Sequence, residues 1–322
     1  MNFRRLILSI FCVFLLTACQ SKKSNVPTIG FIDAFEDATI AQARDGFTDA
    51  LKKNGFSEEK NTVEIIYRNA QGDIPTLTQI ANYFISEKVD LMGTNTTLST
   101  VTALQRTSTI PVFMMVSPTP DRMKVTNDEG KEPDNLFGVA EDLAYIDTSF
   151  SLIPQMVKPK GGKLVIGMIY NQSEPQSSDA LGRIKSLAGK LNVTVEALPV
   201  ITSADVQLVT QSLLNRDIDV FFANPDNTVF AAFETILKNC NRKKVPIFTS
   251  EAGLVKRGAV AAYGADIYQW GYQSGEQAAK YLKMKKISKL KWEMVKVRKR
   301  VYNPEAAKKF NINVPSNFEA VK

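Results

Sequence analysis

The chain alternates compact β-type runs with amphipathic helical stretches, and it does so twice. Thr28 to Ile32 reads as a buried strand. A loop over Asp33 to Ala38 follows, then a helix from Thr39 to Asn54 whose Ile40, Ala43, Phe47, Ala50 and Leu51 share one face. Gly55 stops that helix. Next come a strand over Thr62 to Arg68, a helix opening at Thr76, a strand at Val89 to Gly93, a helix starting within Thr94 to Thr97, and a strand over Ile110 to Val116. A polar stretch from Asn127 to Asn135 interrupts the pattern before a short strand at Leu136 to Ala140 and a helix over Ile146 to Met156. The rhythm restarts at Lys163 to Tyr170 and continues through a helix ending near Leu191, a strand at Val193 to Leu198 and a helix over Ser203 to Asn215. A strand at Val220 to Ala223, a helix near Asn227 and a strand at Ile247 to Ser250 complete it. Strands separated by helices of this length demand right-handed crossovers and parallel sheets covered on both faces. The expected fold is α/β, with two doubly wound parallel-sheet lobes. Such sheets present their loops at the carboxyl ends of the strands, so two facing sheets bring two loop rims across one cleft.

The residue inventory removes much of catalytic chemistry. Among 322 residues there is no histidine, which excludes Ser-His-Asp and Cys-His nucleophile pairs and His-ligated zinc or iron. No phosphate-binding GxxxxGK[ST] loop and no GxGxxG occurs, and Gly161-Gly162 reads as a turn before a strand. The expectation is a non-enzyme with no catalytic residue, no metal and no cofactor. Carboxylate or Ser-Lys chemistry stays formally open, and with it the alternative of an exported α/β hydrolase. The formal net charge of +7 is carried largely by lysines near the C-terminal end, which reads as a solvated face rather than a nucleic-acid surface.

The first 18 residues carry Arg4 and Arg5, an apolar run from Leu6 to Leu16 and the small pair Thr17-Ala18. The run is too short for a stable span, and its layout is that of a signal peptide. Leu16-Thr17-Ala18-Cys19 resembles a bacterial lipobox, in which Cys19 is acylated and becomes the mature N-terminus. Residues 19–27 then form a lipidated tether, and the protein is expected to be exported and anchored on the periplasmic side or the cell surface. Gln20 leaves inner against outer membrane open. With Cys12 removed and Cys19 acylated, Cys240 has no partner for an intramolecular disulfide.

Ile29-Gly30-Phe31-Ile32, Ala43-Arg44-Asp45-Gly46-Phe47 and Tyr67-Arg68-Asn69-Ala70-Gln71-Gly72-Asp73 form a dense, ordered set of segments. Ile110-Pro111-Val112, Gly167-Met168-Ile169-Tyr170-Asn171, Asp226-Asn227-Thr228, Val245-Pro246-Ile247-Phe248 and Arg257-Gly258-Ala259 follow in the same order. Over about residues 27 to 316 the chain resembles the type I periplasmic binding proteins of ABC importers, in particular the tryptophan and tyrosine receptor group. That resemblance implies a Venus-flytrap receptor with lobe 1 over 28–140 and 263–288, lobe 2 over 141–262 and 289–322, and three hinge crossovers. It further implies a small-molecule ligand, a monomer, and partnership with an ABC permease and its ATPase. A two-lobed exported sensor or structural lipoprotein is the alternative that does not feed a transporter. Ser117 stands where such proteins more often have an acidic residue before the proline, and Asp128 to Asp134 looks like an insertion. Ser250-Glu251 keeps the usual serine and acidic pair.

A zwitterionic amino acid needs a carboxylate opposite its ammonium, and hydroxyls or free backbone N–H groups opposite its carboxylate. Helix N-termini supply the latter, and Thr94, Thr96, Thr97 and Ser177 stand at strand-to-helix turns. Asp226, Glu251 and Glu141 are the acidic candidates, each at a strand end. Asp33, Ser117 and Ser250 stand on the same rims, and Asn171 can both donate and accept. Plain N-capping explains the hydroxyl clusters and Asp226 equally well. Phe35 is weighed between stacking on the ligand and packing, Phe230 fits core spacing, and Trp270 and Trp292 read as anchors off the rims.

Overall fold

The computed structural model describes residues 26–284 and 290–321. The signal segment, Cys19 and the tether as far as residue 25 lie outside the described residues. So do residues 285–289, where the second stretch of lobe 1 is expected to end, and residue 322.

The first lobe is built by β1 (Thr28–Asp33), α1 (Ala38–Lys53), β2 (Glu64–Asn69), α2 (Ile74–Ser86), β3 (Leu91–Asn95), α3 (Thr96–Arg106), β4 (Val112–Pro118) and β5 (Leu136–Glu141). The second takes α4 (Ala144–Met156), β6 (Val165–Asn171), α5 (Pro175–Leu191), β7 (Thr194–Val200), α6 (Val206–Leu214) and β8 (Val220–Ala223). It continues with α7 (Asn227–Ala231), α8 (Phe233–Arg242), β9 (Ile247–Thr249), α9 (Ala252–Lys256) and β10 (Ala261–Ala265). The chain then adds α10 (Ile267–Met284), β11 (Glu293–Met294), β12 (Arg298–Tyr302), α11 (Pro304–Lys309) and β13 (Glu319–Ala320). The first sheet runs β11-β5-β4-β3-β1-β2 and the second β7-β6-β8-β9, with every described pairing in both parallel. A third sheet orders β10-β12-β13, with β12 antiparallel to β10. The α/β, doubly wound, two-lobed expectation is the fold observed.

Buried aliphatic and aromatic faces make these elements pack. Phe31 of β1 meets Phe47 of α1 edge-on with ring centroids 5.6 Å apart, and in the second lobe Phe150 meets Phe222 at 5.4 Å. Helix α10 lies close along α1 because Gly46, Gly271 and Gly275 stand at the contact. A Cβ on any of them would overlap the opposing backbone.

The chain passes between lobes three times, after β5, after β10 and after β11. The boundaries differ from the sequence expectation at two of these points. β10, which the sequence pattern does not mark as a strand, precedes the return at residue 266 rather than 263. β11 pairs with β5, so the final crossing follows Met294 rather than residue 288. Short, partly exposed strands such as β11 carry too few residues for a readable period. Two ion pairs clasp the crossings. Arg298 grips Glu141 through both Nε and Nη2, and Lys299 meets Asp266 at 2.6 Å.

Candidate functional site

The carboxyl ends of β3, β4, β5, β8 and β9 converge between the lobes with the first turns of α1, α4, α5 and α10. They line a pocket holding about 440 Å³ of empty space, part of it open to solvent. Its wall takes Ile40, Thr96, Thr97, Val116, Ser117 and Pro118 from the first lobe, and Gln176, Pro225, Asp226, Asn227 and Phe230 from the second. Glu141, Leu143, Tyr145, Glu251 and Trp270 come from around the crossings. The lobes are closed over it. Ile40 of α1 packs into the hydrophobic core of the second lobe, and Arg257 reaches across to Asp37, the N-cap of α1, at 2.6 Å.

Backbone strain gathers at this wall. Thr96 (φ 72°), Val116 (φ 53°) and Leu143 (φ 68°) all adopt left-handed conformations, and two of the three are β-branched. Such conformations are unfavourable for these residue types and concentrate where surrounding structure holds a functional surface in place. In β4 a register shift between Met114 and Ser117 turns Val116 and Ser117 toward the cavity rim.

Several buried polar atoms at the wall have no protein partner. Thr96 Oγ1, Glu251 Oε2 and Gln176 Oε1 are all unpaired, and Glu251 is 1 % exposed. Helix α3 opens beside Thr96 without a side-chain cap, because Asn95 instead donates through Nδ2 to the Ile40 carbonyl at 3.0 Å. Its first-turn N–H groups are therefore available to an acceptor in the cavity.

The acidic groups behave differently from one another. Burial, reinforced by the neighbouring Glu141 and Asp266 charges, raises the Glu251 carboxyl well above the ordinary range, against a hydrogen bond from Tyr145. Burial pushes Glu141 up to about 7 although Arg298 holds it in a fork. Asp226 is a helix cap. Its Oδ1 accepts from Val229 N at 2.6 Å, and its Oδ2 accepts from Ser177 Oγ at 2.8 Å and Asn171 N at 3.1 Å. These donors occupy the lone pairs that an ammonium would need. Of the two roles the sequence leaves open for Asp226, capping is the one built, although the residue also lines the cavity. Glu174 sits behind it, held by Asn227 N at 3.1 Å and Asn227 Nδ2 at 2.8 Å. Burial and the Asp226 charge raise its carboxyl.

Of the twelve ligand-binding positions expected from the sequence, Thr96, Thr97, Ser117, Glu141, Asp226 and Glu251 line the cavity. Thr94 lies beneath it, its Oγ1 2.9 Å from Thr100 Oγ1, which in turn meets Ser117 Oγ at 3.2 Å. Ser177 stands behind Asp226, and Ser250 is buried next to Glu251 with an unpaired hydroxyl. Asp33 ends β1, pairs with Arg44 at 3.6 Å and is pushed up to about 6 by burial, away from the wall. Phe35 and Asn171 line a wider outer cleft with Gly72, Ile74, Leu98, Glu174 and Ile201. Phe35 leans over Gly72 there, and Asn171 Nδ2 donates to Thr228 Oγ1 at 2.8 Å. Trp270 is the main correction. It is no off-rim anchor but a wall residue, fixed by its indole N–H donating to the Val139 carbonyl at 2.9 Å. The sequence reading also misses Tyr145, Leu143, Ile40 and Gln176, and it assigns Phe230 to the core alone. Trp292 packs on the first lobe's core as expected.

Among the described residues no cluster of three or more His, Cys, Asp or Glu side chains is placed to hold a metal ion, and no helix is long and apolar enough to cross a membrane. The family model for ABC transporter substrate binding proteins matches residues 28–321. The chain belongs to that family. It is a substrate-binding protein, not an enzyme. A tyrosine-binding protein of Clostridioides difficile is 32 % identical over 295 residues, covering 88 % of this chain and 84 % of the relative. Among solved structures, a conserved domain protein from Vibrio cholerae superposes with TM-score 0.80 at 27 % identity over 92 % of this substrate-binding protein and all of that chain. An ABC domain from Streptococcus pneumonia in complex with L-Trp superposes with TM-score 0.81 at 22 % identity, again over 92 % of this chain and 100 % of that one. A ligand-free, open substrate binding protein with adhesive properties from Clostridium difficile gives only 0.66 at 30 % identity, over 92 % and 99 % of the two chains. The weaker superposition on an open relative of higher identity fits the closed lobes seen here.

Proposed function

We propose that this protein binds an amino acid with an aromatic or large apolar side chain between its lobes and delivers it to an ABC permease and its ATPase. The observation that carries the reading is Glu251. It is a buried carboxyl group with an unpaired oxygen, facing a pocket between the lobes whose opposite side offers an uncapped helix N-terminus and the unpaired Thr96 hydroxyl. A zwitterion satisfies both ends at once. Its ammonium meets Glu251, its carboxylate meets Thr96 and the α3 N–H groups, and its side chain lies against Trp270, Tyr145, Phe230 and Ile40. Burying a charge without a partner is expensive, so a ligand that pairs Glu251 favours closure over opening. The tyrosine-binding relative and the tryptophan complex support the aromatic class. Cys19 supplies the lipid anchor in this reading, and fractionation of a Cys19→Ala variant should find it released from membranes.

A thermal-shift panel of free amino acids, followed by solution scattering, tests the ligand assignment. Tyrosine, tryptophan or a similar apolar amino acid should raise the melting temperature, because it binds the native state and not the unfolded chain. The same ligand should hold the compact closed form in solution. Selective stabilisation by sugars or acidic amino acids, with none by aromatic ones, would sink the reading.

A further inference from the structure

We infer that the cavity selects its ligand through the ammonium, so that arylalkylamines lacking the carboxylate bind and arylalkyl acids lacking the amine do not. The inference rests on the amino-acid reading above and narrows it. Its basis is the charge inventory of the wall. Glu141, Asp226 and Glu251 contribute carboxyls, whereas among the described residues no lysine or arginine lines the cavity, and the chain has no histidine. Arg298, which reaches the wall residue Glu141, is committed to it in a two-point fork. Asp226 is satisfied by backbone and hydroxyl donors, which leaves Glu251 as the acid with an open acceptor position.

The two ends of a zwitterion therefore meet unequal partners. The ammonium meets a buried ionisable carboxylate, and removing one member of such a pair leaves the other charge buried and unpaired. The carboxylate meets only neutral donors, Thr96 Oγ1 and the uncapped turn of α3, which are individually weaker. It also enters a space whose titratable carboxyls, Glu141, Asp226 and Glu251, are all acids already disfavoured in their charged form by burial. Deleting the amine should accordingly weaken binding by about 100-fold or more, and deleting the carboxylate by about 10-fold or less.

Calorimetric titration with three probes sharing one ring system tests this: L-tryptophan, tryptamine and indole-3-propionic acid. The expected order places tryptamine within about 10-fold of tryptophan and the acid at least about 100-fold weaker. Tryptophan binding with no tryptamine binding would overturn the inference and leave the amino-acid reading standing. So would an acid that binds as well as tryptophan. If none of the three binds, the same comparison with tyrosine, tyramine and 3-(4-hydroxyphenyl)propionic acid decides it, and failure of both sets brings down the aromatic amino-acid reading and the inference with it. A Glu251→Gln variant supplies a second readout, since it removes the charge at nearly constant shape and its fold can be checked by its melting temperature. It should weaken tryptophan and tryptamine by about 30-fold or more while leaving the acid unchanged or improved. Equal losses for all three probes would count against recognition through the ammonium.

Discussion

At the scale of single residues, Asp226 shows how one carboxylate can look like a ligand partner and act as a brace. Its Oδ1 caps α7 through Val229 N, while its Oδ2 ties β6 and α5 together through Asn171 N and Ser177 Oγ. Replacing it with alanine leaves Val229 N and the Ser177 hydroxyl without this buried acceptor, while Asn171 N keeps only Ser177 Oγ at 3.1 Å. Asp226→Ala should therefore destabilise the ligand-free protein by about 2 to 4 kcal/mol, more than an ordinary exposed cap. Urea denaturation of the apo variant checks this, and a midpoint equal to the parent's would remove the brace. The sequence makes an acid at this strand-to-helix turn legible. It does not reveal that two of the donors come from positions 49 and 55 residues away. The same limit separates the legible wall from the hidden one. Thr96, Thr97, Ser117, Glu141 and Glu251 stand at strand ends, which periodicity locates. Tyr145, Phe230 and Trp270 are buried aromatics, and an aromatic covering a cavity has the same local spacing as one covering a core. Only the approach of the lobes distinguishes them.

At the scale of elements, closure is an interface between the start of α1 and the pair α8 and α9. Arg257 pairs with Glu234 at 2.8 Å within its own lobe, and it crosses to Asp37 and to Thr39 Oγ1, the latter at 2.9 Å. Asp37 already caps α1 through Thr39 N and Ile40 N, so the cross-lobe pair rests on a rigid helix end rather than a mobile loop. Gly253 of α9 sits directly against Thr39, and a Cβ built there would overlap the Thr39 γ-methyl. Thr39 is fully buried, and its hydroxyl is engaged by Arg257, so its side chain has little freedom to yield. Gly253→Ala should act as a wedge between the lobes, leaving each lobe folded while disfavouring the closed state. The expected outcome is an apparent affinity lower by about 10-fold or more, as the competent fraction falls. Scattering should then need proportionally more ligand to show compaction. Unchanged affinity would mean that the helix ends slide past each other without loss. The strand and helix order of both lobes is legible in the sequence because each element carries its own period. This interface is not, because a glycine in a short helix gives no local sign of what it faces.

At the scale of the whole molecule, the buried acids couple folding to pH in a direction opposite to that of paired surface carboxylates. Burial raises Glu141 from 4.5 to about 7 and Asp33 from 3.8 to about 6. A group whose folded pKa lies above its unfolded value adds stability that is fully present below the unfolded pKa and is lost as pH rises through the folded pKa. For these two groups the loss runs from about pH 4 to about pH 7, at about 1.4 kcal/mol for each unit of separation per group. The exposed acids with depressed values, such as Asp73 and Asp205, titrate below that window and do not oppose it. The ligand-free protein should therefore be more stable at about pH 5 than at about pH 8, by on the order of a few kcal/mol. Chemical denaturation at the two pH values measures the difference, and Glu141→Gln, which cannot ionise, should remove part of the slope. A bound ammonium reverses the balance in the cavity, since it favours the ionised form of Glu251. Stabilisation by a saturating amine ligand should consequently grow as pH rises toward the raised Glu251 value. An apo midpoint that rises from about pH 5 to about pH 8, or ligand stabilisation that shrinks over that interval, would show that these carboxylates are solvated in solution and that the closed lobes do not dominate without ligand.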